Sequence, residues 1–282
     1  MTKISYKDVK SKCTKDRFFP YDDWRDRLFV PPSIFLVWIF VRFKVSGNAV
    51  SFLSGFVAIL GGILISMENK VFIFIGSFAY ILYYLLDYVD GGVARFNGSS
   101  GIGGQYIDWL MHTVSSLGIF IGIFIGALNS NGTWVMPFGV LTTIACTLNL
   151  ERYSFGWFSI CMHRQQQVVK NINTTLLPIK NISNQTKENI IVKGMKYIST
   201  LLFHENYSIF LIPILAFLNL FINKNYIDFR LIILFAGSFI YFPTILIDIL
   251  RISNNNVIDK SYNDLFFGNK KPNLPKDHFF GN

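Results

Sequence analysis

Long apolar stretches alternate with polar connections along this chain. The apolar stretches lie at about 49–66, 71–94, 106–128, 134–151, 207–222 and 231–249. An α-helix needs about 20 apolar residues to cross the hydrocarbon core of a bilayer. The six stretches are close to that length, so we predict six transmembrane helices and an all-α polytopic membrane protein.

A shorter apolar run, Pro32–Phe43, precedes the first predicted span. It follows Pro31 and is bounded by Arg42 and Lys44, so it is too short to cross a bilayer. We expect an amphipathic helix lying in the membrane interface. The resulting organisation has an N-terminal segment with the interfacial helix, a six-helix domain containing a polar loop with a short helix near 188–203, and a C-terminal tail: 1–47, 48–250 with loop 153–205, and 251–282.

The composition supports the membrane assignment. Hydrophobic residues make up 51% of the chain, 29 residues are Phe, and the mean hydropathy is +0.39, which is too apolar for an ordinary soluble domain. In the predicted topology all but three of the 26 Lys and Arg residues, namely Lys70, Lys224 and Arg230, fall on one side. The positive-inside rule makes that side cytoplasmic, together with both termini. The net charge of +9 then reflects topology and anionic lipid, and nucleic acid is not an expected partner.

Ionisable residues inside membrane helices are costly and need a partner, water or a ligand. The second predicted span ends with Asp87 and Asp90, spaced i, i+3 on one helical face. The third begins with Gly104, Asp108 and His112, spaced i, i+4, i+8. Three carboxylates and an imidazole on adjacent antiparallel helices favour a divalent cation such as Mg²⁺, which usually shares its site with substrate phosphates.

The residues between and beside the carboxylates suit a phosphate ligand. Gly91 and Ala94 leave room for a ligand close to the backbone. Arg95 is always charged and can hold a phosphate. The connection that follows is rich in glycine.

Together these residues resemble the CDP-alcohol phosphotransferase signature, D-x2-D-G-x2-A-R-x8-G-x3-D-x3-D. Seven of its eight fixed positions match at the family spacing: Asp87, Asp90, Gly91, Ala94, Arg95, Gly104 and Asp108. The six spans, the preceding interfacial helix and the pair Asn48 and Ser51 at the start of the first span also resemble that family. The likeness covers residues 20–150 well, and the remainder only in hydropathy.

The resemblance implies an integral membrane transferase that moves a phosphoryl-alcohol group from a CDP-activated alcohol to a hydroxyl acceptor and releases CMP. It implies one or two Mg²⁺ or Mn²⁺ ions on the carboxylates, a role in phospholipid or glycan head-group synthesis, and a homodimer in contact with membrane lipids. The implied metal ligands are Asp87, Asp90 and Asp108. The implied nucleotide-binding residues are Asn48, Ser51, Asp87, Gly91, Ala94, Arg95 and Gly104.

The chain departs from the signature at its last position, where His112 replaces the Asp that the family uses as general base. A neutral imidazole accepts protons at physiological pH, so we expect His112 to act as the base, beside Asp108 as a second catalytic residue. An imidazole also ligates metals and would shift the preference from Mg²⁺ toward Mn²⁺ or Zn²⁺.

Two other functions compete with this one. A catalytically impaired relative would bind CDP and metal as a scaffold, an alternative that rests on His112. An aspartate-rich prenyltransferase would carry a carboxylate where this chain has Ala94 and would have about nine spans, so it fits less well. Arg152 and Arg164 are candidates for binding a phosphate on the acceptor, although positive charges at this place are more often topogenic.

Overall fold

The computed structural model describes residues 4–15, 24–99, 101–149, 190–203, 205–221 and 228–254. These residues are almost entirely helical, and no strand occurs among them. The helices of the described segments are α1 Tyr6–Lys15, α2 Trp24–Arg42, α3 Gly47–Ser66, α4 Lys70–Asn97, α5 Ile102–Asn131, α6 136–149, α7 Ile190–Phe203, α8 Glu205–Phe221, α9 Phe229–Ala236 and α10 Phe242–Asn254. A 3₁₀ turn, Thr133–Val135, precedes α6, and a π-helical segment, Gly237–Tyr241, joins α9 to α10.

Four helical segments are long and apolar enough to cross a membrane. They are Gly47–Ser66, Lys70–Asn97, Gly103–Asn131 and Phe229–Ile252. Their outer faces are apolar as well, since α3 alone exposes Phe52, Phe56 and Ile63 by half or more of their surface. Large exposed apolar faces of this kind are typical of helices in contact with lipid. The all-α membrane fold expected from the sequence is therefore supported.

Each of the six predicted spans contains helix among the described residues, but only four of these helices are long enough to cross a membrane. The apolar part of α8 is Ser208–Phe221, which is shorter than a full span. The described part of α6 ends at residue 149. The short helix predicted near 188–203 is confirmed as α7. Most of the predicted loop 153–205, and the tail beyond residue 254, lie outside the described residues.

The start of the interfacial helix was predicted wrongly. We expected it at Pro32, whereas α2 begins at Trp24 and contains both Pro31 and Pro32. A proline inside a helix costs about 3 kcal/mol, which is why the sequence favoured a later start. Contacts between the first turns of α2 and helix α4 offset this cost. The helix does not meet the criteria for a membrane span, and its place in the interface stays a prediction.

The first turns of α2 are fixed against α4. The Arg25 guanidinium donates to the Tyr84 hydroxyl at 3.2 Å, and the Tyr88 hydroxyl donates to Asp26 at 2.9 Å. Phe29 is buried between the same two tyrosine rings, with centroids 5.0 and 5.9 Å away. Helix α1 joins this layer, and the three helices share a core that includes Val9, Cys13, Val30, Ile34, Val37, Val41, Leu86, Val89 and Val93.

Glycines let α3 approach α4 and α5 closely. A Cβ at Gly61 would lie 2.9 Å from the Gly76 carbonyl oxygen of α4. On the α5 side, a Cβ at Gly62 would overlap the backbone of Gly118, and one at Gly122 would lie 2.6 Å from the Cα of Gly62. Small residues at such crossings allow backbones to pack tightly inside a membrane. This packing sets the spacing of the three helices that carry the signature residues.

The chain divides into two compact units. The first comprises Met1–Thr147 and Met195–Phe242, and the second comprises Leu148–Gly194 and Pro243–Asn282. The first unit contains α1 to α5 and therefore every signature residue. It also contains the contact of α6 with α9, in which the Thr142 hydroxyl donates to the Leu234 carbonyl at 3.0 Å.

Arg230, at the start of α9, is almost completely buried, with 3% of its surface exposed. Its guanidinium pairs with Asp228 at 2.7 Å, donates to the carbonyls of Ile65 and Met67 at 3.1 and 3.2 Å, and donates to the Ser130 hydroxyl at 2.8 Å. Arg230 therefore ties the end of α3 and the end of α5 to the start of α9. From the sequence it was expected only as one of three positive charges outside the cytoplasmic side.

Candidate metal and nucleotide site

A tight turn brings the two acidic helices together. Helix α4 ends at Asn97, and Gly98 follows in the left-handed region at φ 65°, where it donates its backbone N–H to the carbonyls of Ala94 and Arg95. Glycine adopts this conformation without the steric penalty that other residues have. Helix α5 then runs back, which places its first turns opposite the last turns of α4.

Asp87, Asp108 and His112 form one cluster across α4 and α5. Nε2 of His112 lies 3.0 Å from a carboxylate oxygen of Asp87 and 3.7 Å from one of Asp108. One potential ligand atom from each side chain lies within 4.8 Å of the others. The Asp87 and His112 side chains are each 22% exposed, and Asp108 is 34% exposed, so the cluster is partly buried but reachable.

The second ring nitrogen of His112 is held by a residue that the sequence analysis did not single out. Nδ1 lies 2.6 Å from the hydroxyl oxygen of Tyr83, which is fully buried. Tyr83 lies one helical turn before Asp87, so the i, i+4 spacing on α4 was the available signal. The Tyr83 contact leaves Nε2 as the nitrogen that faces the two carboxylates.

Asp90 is placed differently from the other acidic residues. It is 7% exposed, and one of its carboxylate oxygens accepts a hydrogen bond of 2.5 Å from the Ser51 hydroxyl of α3. The cluster of three potential ligands does not include it. Asp90 as a metal ligand, and Ser51 as a nucleotide-binding residue, stay predictions.

The other residues expected at the nucleotide gather at the same ends of α3, α4 and α5. A Cβ on Gly104 would lie 3.7 Å from the Asn48 side-chain oxygen. At the start of α3, a Cβ on Gly47 would lie 3.1 Å from that of Ala94. A Cβ on Gly91 would lie 3.1 Å from a terminal nitrogen of Arg95, so the guanidinium lies directly over Gly91. Arg152 and Arg164 lie outside the described residues.

The cluster fits a divalent metal in donor type, and its two His112–carboxylate separations are close to those of neighbouring metal ligands. Neighbouring ligands of an octahedral ion with bonds of 2.0–2.1 Å are about 3 Å apart. The His112–Asp87 separation of 3.0 Å already has this value, and the His112–Asp108 separation of 3.7 Å needs only a small adjustment. Two carboxylates and an imidazole form a ligand set that takes divalent metals and leaves coordination positions for a substrate.

The comparisons with known proteins add no family assignment. No protein-family model matches the chain, and no curated protein sequence matches it. The resemblance to CDP-alcohol phosphotransferases therefore rests on the signature residues themselves.

Proposed function

We propose that this protein is an integral membrane CDP-alcohol phosphotransferase. It moves a phosphoryl-alcohol group, phosphatidyl or similar, from a CDP-activated donor to the hydroxyl of an acceptor and releases CMP. The observation that supports this most strongly is the meeting of Asp87, Asp108 and His112 across α4 and α5, next to the matching residues of the family signature. The product would be a phospholipid or a lipid- or glycan-linked head group.

The metal would be held by Asp87, Asp108 and His112. Asp90 would join them when its hydrogen bond with Ser51 is broken. When bound, Mg²⁺ or Mn²⁺ neutralises the charge of the pyrophosphate and orients it. Arg95 supplies a second positive charge for a phosphate, and the absence of a side chain at Gly91 lets its guanidinium lie against the α4 backbone. Asn48 and Gly104, which lie side by side, are suited to contact the nucleotide.

The proton of the acceptor hydroxyl needs a base. His112 occupies the position of the family's base, but its Nδ1 is bound to Tyr83 and its Nε2 lies between two carboxylates. This geometry supports a ligand role for His112. We therefore assign proton transfer to the carboxylate of Asp108, the most exposed of the three side chains.

The same proposal includes the number of membrane spans and the side on which the termini lie. Helices α6 and α8 would complete a set of six spans, α2 would lie in the interface, and the termini and the signature residues would be cytoplasmic, as the Lys and Arg distribution indicates. The family resemblance adds a homodimer.

Binding without turnover is the second candidate function. The specific observation in its favour is that both nitrogens of the imidazole at the base position have partners. A scaffold of this kind would bind CDP and metal and would release no CMP. An aspartate-rich prenyltransferase gains no support from the geometry, since no carboxylate follows Asp90 by one turn.

The test is CMP release by the purified protein in detergent with Mg²⁺ or Mn²⁺. CDP-diacylglycerol and small CDP-alcohols are offered as donors with a panel of polyols and polyol phosphates as acceptors. Asp108→Ala should abolish release, whereas Glu68→Gln, which removes an exposed acidic charge outside the cluster, should not change it. Metal-dependent release that is equal in wild type and Asp108→Ala would refute the proposed site.

A further inference from the structure

Tyr83 is held rigidly next to His112. Its side chain is fully buried, and its hydroxyl oxygen lies 2.6 Å from Nδ1 of His112. The two rings meet edge to face, with centroids 6.0 Å apart and an interplanar angle of 86°. On its other side Tyr83 stacks on Tyr80, with centroids 5.8 Å apart and an angle of 4°. The hydroxyl therefore has little freedom to leave the imidazole.

The tautomer of His112 decides what Nε2 can do. A neutral imidazole carries its proton on one nitrogen, and the other nitrogen offers a lone pair. If Nε2 carries the proton, it donates to Asp87 at 3.0 Å and cannot bind a metal. If Nδ1 carries the proton, it donates to the Tyr83 oxygen, and Nε2 offers its lone pair as a metal ligand. Because a hydroxyl both donates and accepts, Tyr83 can be the partner of Nδ1 in either state.

We propose that Tyr83 is a positioning residue that presents Nε2 of His112 to a divalent transition-metal ion, together with Asp87 and Asp108. The inference rests on the metal role proposed above for this site. The hydroxyl oxygen accepts a hydrogen bond from the Nδ1–H group, so the lone pair of Nε2 points toward the two carboxylates. Partners of this kind commonly fix the ring and the tautomer of metal-binding histidines.

The ligand set gives the class of metal. Mg²⁺ prefers an all-oxygen, octahedral environment, which the family signature supplies with four carboxylates. Imidazole suits first-row transition-metal ions better, and their affinity for a given site generally rises from Mn²⁺ to Cu²⁺ and falls at Zn²⁺. With His112 held as a ligand, the site binds Mn²⁺ more tightly than Mg²⁺.

Removing the Tyr83 hydroxyl should weaken metal binding without altering a ligand. In Tyr83→Phe, a proton on Nδ1 would face an aromatic ring and have no acceptor there. The tautomer with the proton on Nε2, which cannot bind a metal, is therefore favoured. Loss of such an orienting partner typically lowers metal affinity about 10–100-fold. Tyr80→Phe is the matched control, because Tyr80 is equally buried on the same helix but its hydroxyl contacts Ser208 at 3.2 Å.

The experiment measures Mn²⁺ and Mg²⁺ affinity of the purified full-length protein, with pulsed electron paramagnetic resonance of bound Mn²⁺ as the direct readout. Wild type should show hyperfine coupling to an imidazole nitrogen and bind Mn²⁺ more tightly than Mg²⁺. Tyr83→Phe should lose about 10–100-fold in Mn²⁺ affinity, while Tyr80→Phe should match wild type. His112→Asp, which restores the signature, should lose the coupling and shift the preference toward Mg²⁺.

Wild-type affinities and coupling remain measurable even if Tyr83→Phe fails to fold. Absence of nitrogen coupling in wild type, or an unchanged Mn²⁺ affinity in folded Tyr83→Phe, would overturn the inference. Metal-dependent CMP release without nitrogen coupling would refute the inference and leave the proposed transferase intact. Nitrogen coupling that is lost in His112→Asp, in a protein that binds no CDP, would refute the transferase and support the metal role of His112.

Discussion

Replacing Arg230 by alanine removes the group that connects three helices at the end of the bundle away from the signature residues. Arg230 is 3% exposed, and its guanidinium contacts Asp228, two backbone carbonyls at the end of α3 and the hydroxyl of Ser130 on α5. An alanine side chain can make none of these contacts. The Asp228 side chain, 13% exposed, would be left without its cationic partner.

The magnitude follows from the burial of this ion pair. Removing one partner of a buried pair typically costs about 3–5 kcal/mol, because the remaining charge stays desolvated. Since about 1.4 kcal/mol is a factor of ten, the unfolding equilibrium constant should rise by roughly two to three and a half orders of magnitude. Asp228→Asn should cost less than Arg230→Ala, because its side-chain oxygen can still accept from the Arg230 backbone N–H at the start of α9.

The assay is unfolding of the purified protein from mild detergent into sodium dodecyl sulfate, followed by circular dichroism. Ile232→Ala is the control on the same helix, because its side chain is 47% exposed and makes no polar contact that a truncation could break. It should change the unfolding free energy by less than 1 kcal/mol or so. If Arg230→Ala unfolds at the same concentration as Ile232→Ala, the pair does not stabilise the bundle and the reasoning is wrong.

Two further predictions concern packing and the signature residues. Gly122→Ala should destabilise the protein by about 1–3 kcal/mol, because its Cβ would lie 2.6 Å from the Gly62 Cα. The control Gly103→Ala lies on the same helix with nothing within 4 Å of its Cβ, and it should stabilise the protein by up to about 1 kcal/mol. Equal effects in the same unfolding assay would contradict the close approach of α3 and α5. Ser51→Ala should lower the free energy of unfolding by about 1–3 kcal/mol, because its hydrogen bond to buried Asp90 is lost. Ser54→Ala loses only a hydrogen bond to a carbonyl of its own helix and should cost less. A larger loss of stability in Ser54→Ala would show that the Ser51–Asp90 contact is unimportant.

The helices and the cluster could be predicted because both depend on spacing. Apolar runs of about 20 residues mark helices that cross a bilayer. The i, i+4 spacing placed Asp108 and His112 on one face, and the glycine-rich turn placed Asp87 opposite them. The structure confirms that these three side chains lie close together.

Other features depend on tertiary contacts that one sequence does not reveal. The extension of α2 through two prolines depends on the contacts of Arg25, Asp26 and Phe29 with α4. Arg230 looked like a topogenic charge because a local pattern cannot distinguish a solvated arginine from a buried one. The hydrogen bond of Asp90 with Ser51 joins residues 39 positions apart, so the helical spacing of Asp87 and Asp90 could not predict it.

The most direct test of the central claim is the metal dependence of CDP binding. Binding of labelled CDP and CMP is measured by equilibrium dialysis, with Mn²⁺ and with a chelator. Comparing the two nucleotides isolates the contribution of the pyrophosphate to affinity. Asp87→Asn removes one proposed metal ligand. We predict that CDP binds more tightly than CMP when Mn²⁺ is present, and that this difference disappears with the chelator and in Asp87→Asn. Equal binding of CDP with Mn²⁺ and with the chelator would contradict a site built to hold a metal and a pyrophosphate together.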